Sequence, residues 1–156
     1  MEKGVAVITV PDVRWSRCDL KTTNLLANVL ANQQAHETEA YEALFIRNGV
    51  ITEGSHSNFF AVVHGKIFTP PLGPAILPGI TRQVVLKLCR QLQLNVEEAS
   101  LAAAQLPEAS EAFLTLTSAE VLPVIKVDDR KLGEGKPGEI TQRLQRAFRE
   151  YVESVR

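Results

Sequence analysis

Short runs of β-branched and aromatic residues, each bounded by turn-forming residues, predict the strands of this chain. Asn48-Gly49 and His64-Gly65 stand between two such pairs of runs, and they predict tight hairpin turns. The predicted strands are Val5 to Val10, Tyr41 to Ile46, Phe59 to Val63, Lys66 to Thr69, Asn95 to Glu98, Ala112 to Glu120 and Val121 to Val127.

Apolar residues that recur every three to four positions predict three helices. The first begins near Thr22 or Thr23, either of which can cap it, and runs to about Glu39. The second opens at Leu77 to Arg82, and the third covers Gly138 to Val155. We expect these apolar faces to point inward: Leu25, Leu26, Val29 and Leu30; then Val84, Val85, Leu88, Cys89 and Leu92; then Ile140, Leu144, Phe148, Tyr151 and Val152.

Hairpins mixed with three helices favour an α+β or mixed-barrel architecture over a parallel Rossmann sheet. The 156 residues suit one domain, residues 1–156, with a sizeable core. Asn24, Asn28 and Asn32 recur at intervals of four in the first helix, which is more typical of a solvated or interhelical polar stripe than of a ligand site.

Charge and cysteine content exclude several classes of function. With 17 basic and 18 acidic residues and no run of like charge, nucleic acid and membrane surfaces are poor partners. Cys18 and Cys89 are far apart and have no CxxC pattern, so we expect no disulfide framework and no metal site. The apolar run at Val5 to Val10 is too short for a signal peptide or a membrane span. These features predict a soluble cytoplasmic domain.

Four short features share one chemical logic. Lys21 offers an amine where an extended segment becomes helical, and Glu53 offers a carboxylate within the polar segment Glu53 to Asn58. Gly79-Ile80-Thr81 would place backbone N–H groups and a hydroxyl at a helix N-terminus, which favours anions. Thr117-Ser118 adds hydroxyls at a strand end. An amine, an acid and an anion cradle are what pyridoxal 5'-phosphate requires. Each feature alone is equally typical of a surface lysine, a loop or a simple helix cap.

The same features lie in four longer segments that occur in a characteristic order. Together they resemble the signature of class IV (fold type IV) pyridoxal-phosphate-dependent aminotransferases, and most closely the bacterial D-amino acid (D-alanine) aminotransferases. The likeness extends over essentially the whole chain. The segments are Cys18-Asp19-Leu20-Lys21-Thr22-Thr23-Asn24-Leu25-Leu26, Thr52-Glu53-Gly54-Ser55-His56-Ser57-Asn58, Leu77-Pro78-Gly79-Ile80-Thr81-Arg82 and Leu114-Thr115-Leu116-Thr117-Ser118-Ala119-Glu120.

The resemblance implies a role for each site residue. Lys21 would be the Schiff-base lysine, Glu53 would contact the pyridine nitrogen, and Leu77 would pack on the cofactor ring. Ile80 and Thr81 would bind the phosphate together with Thr117, with Gly79 and Ser118 beside them. Two positions depart from the family: His56 stands where a small residue is more common, and Leu116 stands where Ser or Thr is frequent.

The resemblance also implies the setting of the site. The chain would form the large cofactor-binding domain, a pseudo-barrel of mixed strands flanked by helices, without the family's smaller N-terminal domain that reads most of the substrate. A homodimer is implied as well, with the site near the subunit interface. The expected reaction is transamination of a D-amino acid, such as D-alanine, with a 2-oxo acid. Alternatives are a branched-chain aminotransferase, an aminodeoxychorismate lyase, or a domain without activity of its own.

Overall fold

A computed structural model describes residues 3–155 of the chain. The strands are β1 (Val5–Pro11), β2 (Glu42–Arg47), β3 (Val50–Gly54), β4 (Asn58–Val63), β5 (Lys66–Thr69), β6 (Val96–Glu98), β7 (Ala109–Leu116), β8 (Glu120–Val127) and β9 (Arg130–Lys131). The helices are α1 (Leu26–Glu37), α2 (Ile80–Gln91) and α3 (Glu139–Ser154), and a 3₁₀ helix spans Ala103–Glu108.

The strands form one mixed sheet in the order β3-β2-β1-β8-β7-β4-β5-β6, with β9 paired to β8. β1 is parallel to both β2 and β8, whereas β7 is antiparallel to β4 and β8. The sheet curls into a half-barrel flanked by helices. This arrangement confirms the predicted mixed α/β pseudo-barrel and excludes a parallel Rossmann sheet.

Two tight hairpins connect strands as predicted. Asn48 and Gly49 have φ angles of 52° and 77° between β2 and β3, and His64 and Gly65 have 50° and 77° between β4 and β5. Two consecutive residues with positive φ are typical of type I′ turns, whose twist matches that of the flanking strands. The first hairpin sets the register that brings Glu53 back along β2.

The hydrophobic core lies on both faces of the sheet, and residues of β4 and β7 alternate between the two faces. Phe59 and Leu114 belong to the cluster inside the curled sheet. Phe60 and Phe113 belong to the opposite cluster, where their rings stack with centroids 4.8 Å apart. Helices α2 and α3 cover this second face with Val85, Leu88, Cys89, Leu144 and Phe148. The inward stripes predicted for α2 and α3 are therefore largely confirmed, with Leu86 as an additional buried residue of α2.

The first helix differs from its prediction. It begins at Leu26 without a side-chain cap, and Thr22 Oγ1 instead accepts a hydrogen bond from the Asn24 N–H. The predicted inward face is exposed: the accessible fractions are 49% for Leu25, 69% for Leu26, 59% for Val29 and 61% for Leu30. Ala31 and Ala35 are buried instead, against Phe45 and Val10. Small side chains let the helix lie close to the sheet, so the alanine face packs inward although it is less apolar.

One predicted strand boundary also shifts, and the structure shows how the polar segment Glu53 to Asn58 is folded. The strand expected over Ala112 to Glu120 is β7, which ends at Leu116, so Thr117 and Ser118 lie in the β7–β8 turn. The polar segment Glu53 to Asn58 is not a loop throughout. β3 includes Glu53 and β4 starts at Asn58, and within this segment only His56 is exposed. Among the described residues, no helix is long and apolar enough to cross a membrane.

Candidate functional site

A pocket of about 230 Å³ opens where the ends of β3, β4 and β7 meet the N-terminus of α2 and the segment that precedes α1. Seven of the eight residues proposed from sequence line it, and Ser118 does not. The seven are Lys21, Glu53, Leu77, Gly79, Ile80, Thr81 and Thr117. Residues from four separate segments of the sequence therefore converge on one cavity.

Lys21 reaches this pocket from an irregular segment that is tied to the rest of the fold. The Asp19 N–H donates to the Pro74 carbonyl over 3.3 Å, and the Leu20 N–H donates to the Arg17 carbonyl over 3.1 Å. The first bond holds the chain just before Lys21 against the loop that leads to α2, and the second closes a local turn. Lys21 is exposed, and within residues 3–155 its amine forms no hydrogen bond or ion pair. The amine is thus available to a ligand.

Glu53 is buried and both of its carboxylate oxygens are engaged. Oε1 accepts a hydrogen bond from Nη1 of Arg14, and Oε2 accepts from Nδ2 of Asn58 over 3.1 Å and from the Leu77 N–H over 3.0 Å. A carboxylate can accept about four hydrogen bonds, so one acceptor position remains. Burial raises the pKa of Glu53 to about 7, against the lowering effect of the bonds from Arg14 and Leu77. The pocket therefore holds an acid whose charge changes near neutral pH.

Sequence reasoning missed Arg14, the cation beside this acid. Its guanidinium is also paired with Asp12 over 2.9 Å and lies 4.2 Å above the ring of Phe45. Although burial works against the charged form, the bonds to Asp12 and Glu53 raise the pKa of Arg14. Burial alone would raise the pKa of Asp12, but Arg14 and Arg47 lower it. The only sequence signal was two charged residues directly after a strand, which is ordinarily a solvated turn.

The opposite end of the pocket is suited to an anion. Gly79 is the N-cap of α2, no side chain caps the helix, and its first turn contains no acidic residue. The N–H groups of a helix's first turn have no partner within the helix, and the helix dipole makes this end positive. A Cβ at position 79 would overlap Oδ1 of Asn58, so glycine allows the helix start to approach β4 closely. This end of the pocket thus presents free backbone donors.

Thr115 is a further pocket residue that the sequence did not single out. It is 2% exposed, and within the described part of the chain its hydroxyl has no hydrogen-bond partner. Leu116 is buried in the core cluster inside the sheet and touches the pocket. Both residues lie at the end of β7, immediately before the exposed Thr117.

A second buried carboxylate, Glu42, supports the wall of the pocket formed by residues 55–57. Its Oε1 accepts hydrogen bonds from the His56 N–H over 2.7 Å and from the Ser57 hydroxyl over 2.9 Å. Burial raises the pKa of Glu42 to about 7, although these bonds oppose the shift. The His56 ring lies 3.4 Å from Oε2 of Glu42, and burial lowers the pKa of His56. The His56 ring therefore lies beside a buried carboxylate that sequence reasoning missed.

The asparagine stripe of α1 also contacts this wall. Nδ2 of Asn28 donates to the Ser55 carbonyl over 2.8 Å, and Oδ1 of Asn32 accepts from the Ser55 hydroxyl over 3.3 Å. The predicted solvated or interhelical stripe is therefore wrong for these two residues, because their partners lie in the β3–β4 connection. Asn24 and Asn28 both line the pocket.

Comparisons with known proteins show which family the chain belongs to. Residues 2–127 match the family model for amino-transferase class IV. The D-alanine aminotransferases of Bacillus licheniformis and of Staphylococcus aureus strain N315 are each 44% identical to the chain, over 97% and 99% of its length. These matches cover 53% and 55% of the two relatives, so the chain spans about half the length of the curated relatives it matches.

Solved structures give the same family. A branched-chain amino acid aminotransferase of Escherichia coli matches 93% of the chain and 51% of its own, with a TM-score of 0.82 and 35% identity. That of Thermoproteus uzoniensis, solved with norvaline, matches 97% of the chain and 52% of its own, with a TM-score of 0.83 and 31% identity. The chain belongs to the class IV aminotransferase family.

Proposed function

We propose that the pocket binds pyridoxal 5'-phosphate and that the complete enzyme transfers an amino group from a D-amino acid, such as D-alanine, to a 2-oxo acid. The observation that carries the proposal is the convergence of the Lys21 amine, the Glu53 carboxylate and the uncapped start of α2 on one cavity. The D-amino acid class rests on the relatives that are 44% identical to the chain.

The residues present fit this cofactor. The free N–H groups of Ile80 and Thr81, with the Thr81 and Thr117 hydroxyls, would hold the phosphate, and Leu77 would pack against the ring. The remaining acceptor position on Glu53 suits a protonated ring nitrogen. When bound, the cofactor supplies an aldehyde that bonds covalently to amines and a ring that withdraws electrons from the bond to be broken.

Lys21 is proposed to act twice at its Nζ atom. It would hold the cofactor covalently, and as a free amine it would take a proton from the substrate and return it to a neighbouring carbon. General acid–base transfer of this kind contributes roughly 10²–10⁴-fold to a rate. Glu53, in its ionised form, would keep the ring nitrogen protonated. Arg14 would favour that ionised form because it donates a charged hydrogen bond to Oε1.

Borohydride reduction tests the cofactor proposal directly. The chain is mixed with pyridoxal 5'-phosphate, reduced, digested and analysed by mass spectrometry, and we expect a pyridoxyl adduct on Lys21. Lys21→Ala should lose this adduct, whereas Lys131→Ala, which removes an exposed lysine of β9, should retain it. Absence of an adduct on Lys21 in the parent chain would favour a domain without cofactor chemistry of its own. Near-normal transamination by Lys21→Ala would contradict the catalytic assignment.

A second candidate is a branched-chain aminotransferase, because the matched solved structures carry that description. An aminodeoxychorismate lyase on the same fold remains the third. Adding single amino acids to the cofactor-loaded protein separates the candidates. Conversion of the bound cofactor by D-alanine and not by L-leucine supports the main proposal, and the reverse result supports the branched-chain enzyme.

The proposal also covers the oligomeric state and the cellular location of the enzyme. We propose that residues 1–156 act as the cofactor-binding domain of a cytoplasmic homodimer. The exposed apolar face of α1, formed by Leu26, Val29 and Leu30, supports a further surface that covers it, because large apolar patches are rarely left exposed. Sedimentation equilibrium of the purified chain tests for the dimer.

A further inference from the structure

The Thr115 hydroxyl is a buried donor without a partner in the part of the chain that the structure describes. Buried polar atoms are nearly always hydrogen-bonded, because losing water without gaining a partner is unfavourable. Thr69, a threonine of the neighbouring sheet region, shows the usual arrangement: it is 1% exposed and its hydroxyl donates to the Phe59 carbonyl over 2.8 Å. The contrast between the two threonines indicates that the partner of Thr115 comes from outside the part of the chain that the structure describes.

The position of Thr115 in β7 shows which part of the pocket its hydroxyl serves. Alternate residues of a strand share a face, so Thr115 points to the same face as Phe113, the face that α2 covers. Thr115 is paired across the sheet with Asn58, which touches the helix start at Gly79. The hydroxyl therefore lies on the pocket wall nearest the N-terminus of α2.

The groups around this hydroxyl select the chemistry of its partner. The first turn of α2 offers uncapped N–H donors and no acidic residue. Glu53, the buried acid that lines the pocket, already accepts bonds from Arg14, Asn58 and Leu77. A ligand group facing several donors must supply acceptors, and negative charge is favoured by the helix dipole.

We infer that Thr115 is a binding residue for the anionic group of the ligand, donating its hydroxyl to a phosphate oxygen beside the start of α2. This inference deepens the proposed cofactor function and rests on it for the identity of the phosphate carrier. It adds to the cradle a hydroxyl that comes from inside β7, in addition to that of Thr117 in the following turn.

Binding measurements on three variants test the inference. Inorganic phosphate, pyridoxal 5'-phosphate and pyridoxal are each titrated into the apo chain by calorimetry. Thr115→Val, which keeps the shape but removes the hydroxyl, should weaken binding of both phosphate-containing probes about 5- to 10-fold, the usual worth of one hydrogen bond. Its affinity for pyridoxal should not change. Thr115→Ser should restore phosphate binding, and Thr69→Val should leave all three affinities unchanged.

Thermal unfolding of the apo variants gives a readout that is independent of the ligand. Thr115→Val should unfold at the same temperature as the parent or higher, because the unpaired hydroxyl is gone. Thr69→Val should unfold at a lower temperature, because the Phe59 carbonyl loses its donor. If Thr115→Val is destabilised as strongly as Thr69→Val, its hydroxyl has a partner within the protein and the inference is wrong.

The outcomes separate this inference from the proposed function. Phosphate binding that depends on Thr115, without an adduct on Lys21, supports the anion site and contradicts the cofactor proposal. An adduct on Lys21 with unchanged phosphate affinity in Thr115→Val supports the cofactor proposal and overturns the role of Thr115. A parent chain that binds none of the three probes overturns both.

Discussion

Arg14 and Glu53 form an ion pair whose two side chains are almost fully buried, with Nη1 2.5 Å from Oε1. Arg14 also pairs with Asp12, whose negative charge weakens the stabilisation that Arg14 gives to ionised Glu53. Burial raises the pKa of Glu53 to about 7 even with an arginine in contact, and the nearby charge of Asp12 adds to the rise. At neutral pH, Glu53 is therefore present in both its protonated and its ionised form. A charged group that binds in the pocket can change which form predominates.

Replacing Arg14 should raise the pKa of Glu53 further. In Arg14→Met the hydrogen bond and the positive charge that lower this pKa are both lost, while most of the side-chain volume is kept. The measurement is a ¹³C NMR titration of the glutamate carboxyl signals in the apo chain, with Glu53→Gln used to assign the signal. Arg17→Met, which removes an exposed arginine paired with Asp19, is the control and should leave the signal unchanged. A pKa at or below the parent's in Arg14→Met would contradict the role of this pair.

A methyl group at Gly79 should disturb the contact between α2 and β4. In Gly79→Ala the new Cβ overlaps Oδ1 of Asn58, whose amide donates to Glu53 and to the Leu77 carbonyl. We expect a loss of about 1–3 kcal/mol in the free energy of unfolding, measured by urea denaturation. Gly73→Ala is the matched control because no atom lies within 4 Å of its Cβ position, and it should stay within roughly 0.5 kcal/mol of the parent. Equal stability of the two variants would argue against the close approach.

Stability should fall as pH rises toward neutrality because of Glu42 and Glu53. Folding raises the pKa of each acid from 4.5 to about 7, so the folded state binds protons more tightly between these values. The stabilising contribution is complete below about pH 4.5 and is lost as pH rises through about 7. Glu42→Gln should therefore show a shallower decline than the parent over this range, in urea unfolding at a series of pH values. The exposed Glu150→Gln should follow the parent, and a parent-like slope in Glu42→Gln would exclude Glu42 as a source of the decline.

The apolar face of α1 should control self-association. Val29 is 59% exposed between Leu26 and Leu30, so Val29→Asp places a charge in the middle of the patch. We expect sedimentation equilibrium to show a dimer for the parent and a shift toward monomer for Val29→Asp. Gln91→Asp adds the same charge at an exposed position of a different helix, α2, and should retain the dimer. If the parent stays monomeric across the concentration range, the patch is not a contact between copies of this chain.

The sequence, through the resemblance of four ordered segments, singled out the candidate site residues that lie at the boundaries of helices and strands. Lys21 precedes a helix, Gly79 starts one, and Thr117 follows a strand. Their residue types and positions therefore indicate a candidate site in the sequence itself. Arg14 and Thr115 gave no such signal. The partner of Arg14 lies 39 positions away, and the importance of Thr115 is a missing hydrogen bond that only packing shows. Glu42 gave no signal in the sequence either, because its hydrogen-bond donors come from residues 56 and 57 in the β3–β4 connection.

For the fold, features set by local sequence were predicted correctly, whereas features set by packing between distant segments were not. The hairpin turns at Asn48-Gly49 and His64-Gly65 follow from local conformational preference, and they appear as expected. The orientation of α1 did not follow, because hydrophobicity alone favours its leucine face. Ala31 and Ala35 pack inward because Phe45 and Val10 already fill the space beneath the helix. Steric fit between distant segments, which a periodic pattern does not contain, decided the outcome.

The uncapped start of α2 makes ligand occupancy measurable from the protein's own amides. Without an anion, the N–H groups of Ile80 and Thr81 have no acceptor within residues 3–155 and should exchange with solvent deuterium almost as fast as in an unfolded chain. An anion that accepts from them should slow their exchange and favour the folded state in proportion to the logarithm of its free concentration. The melting temperature of this chain is therefore a property of its surroundings as well as of its sequence.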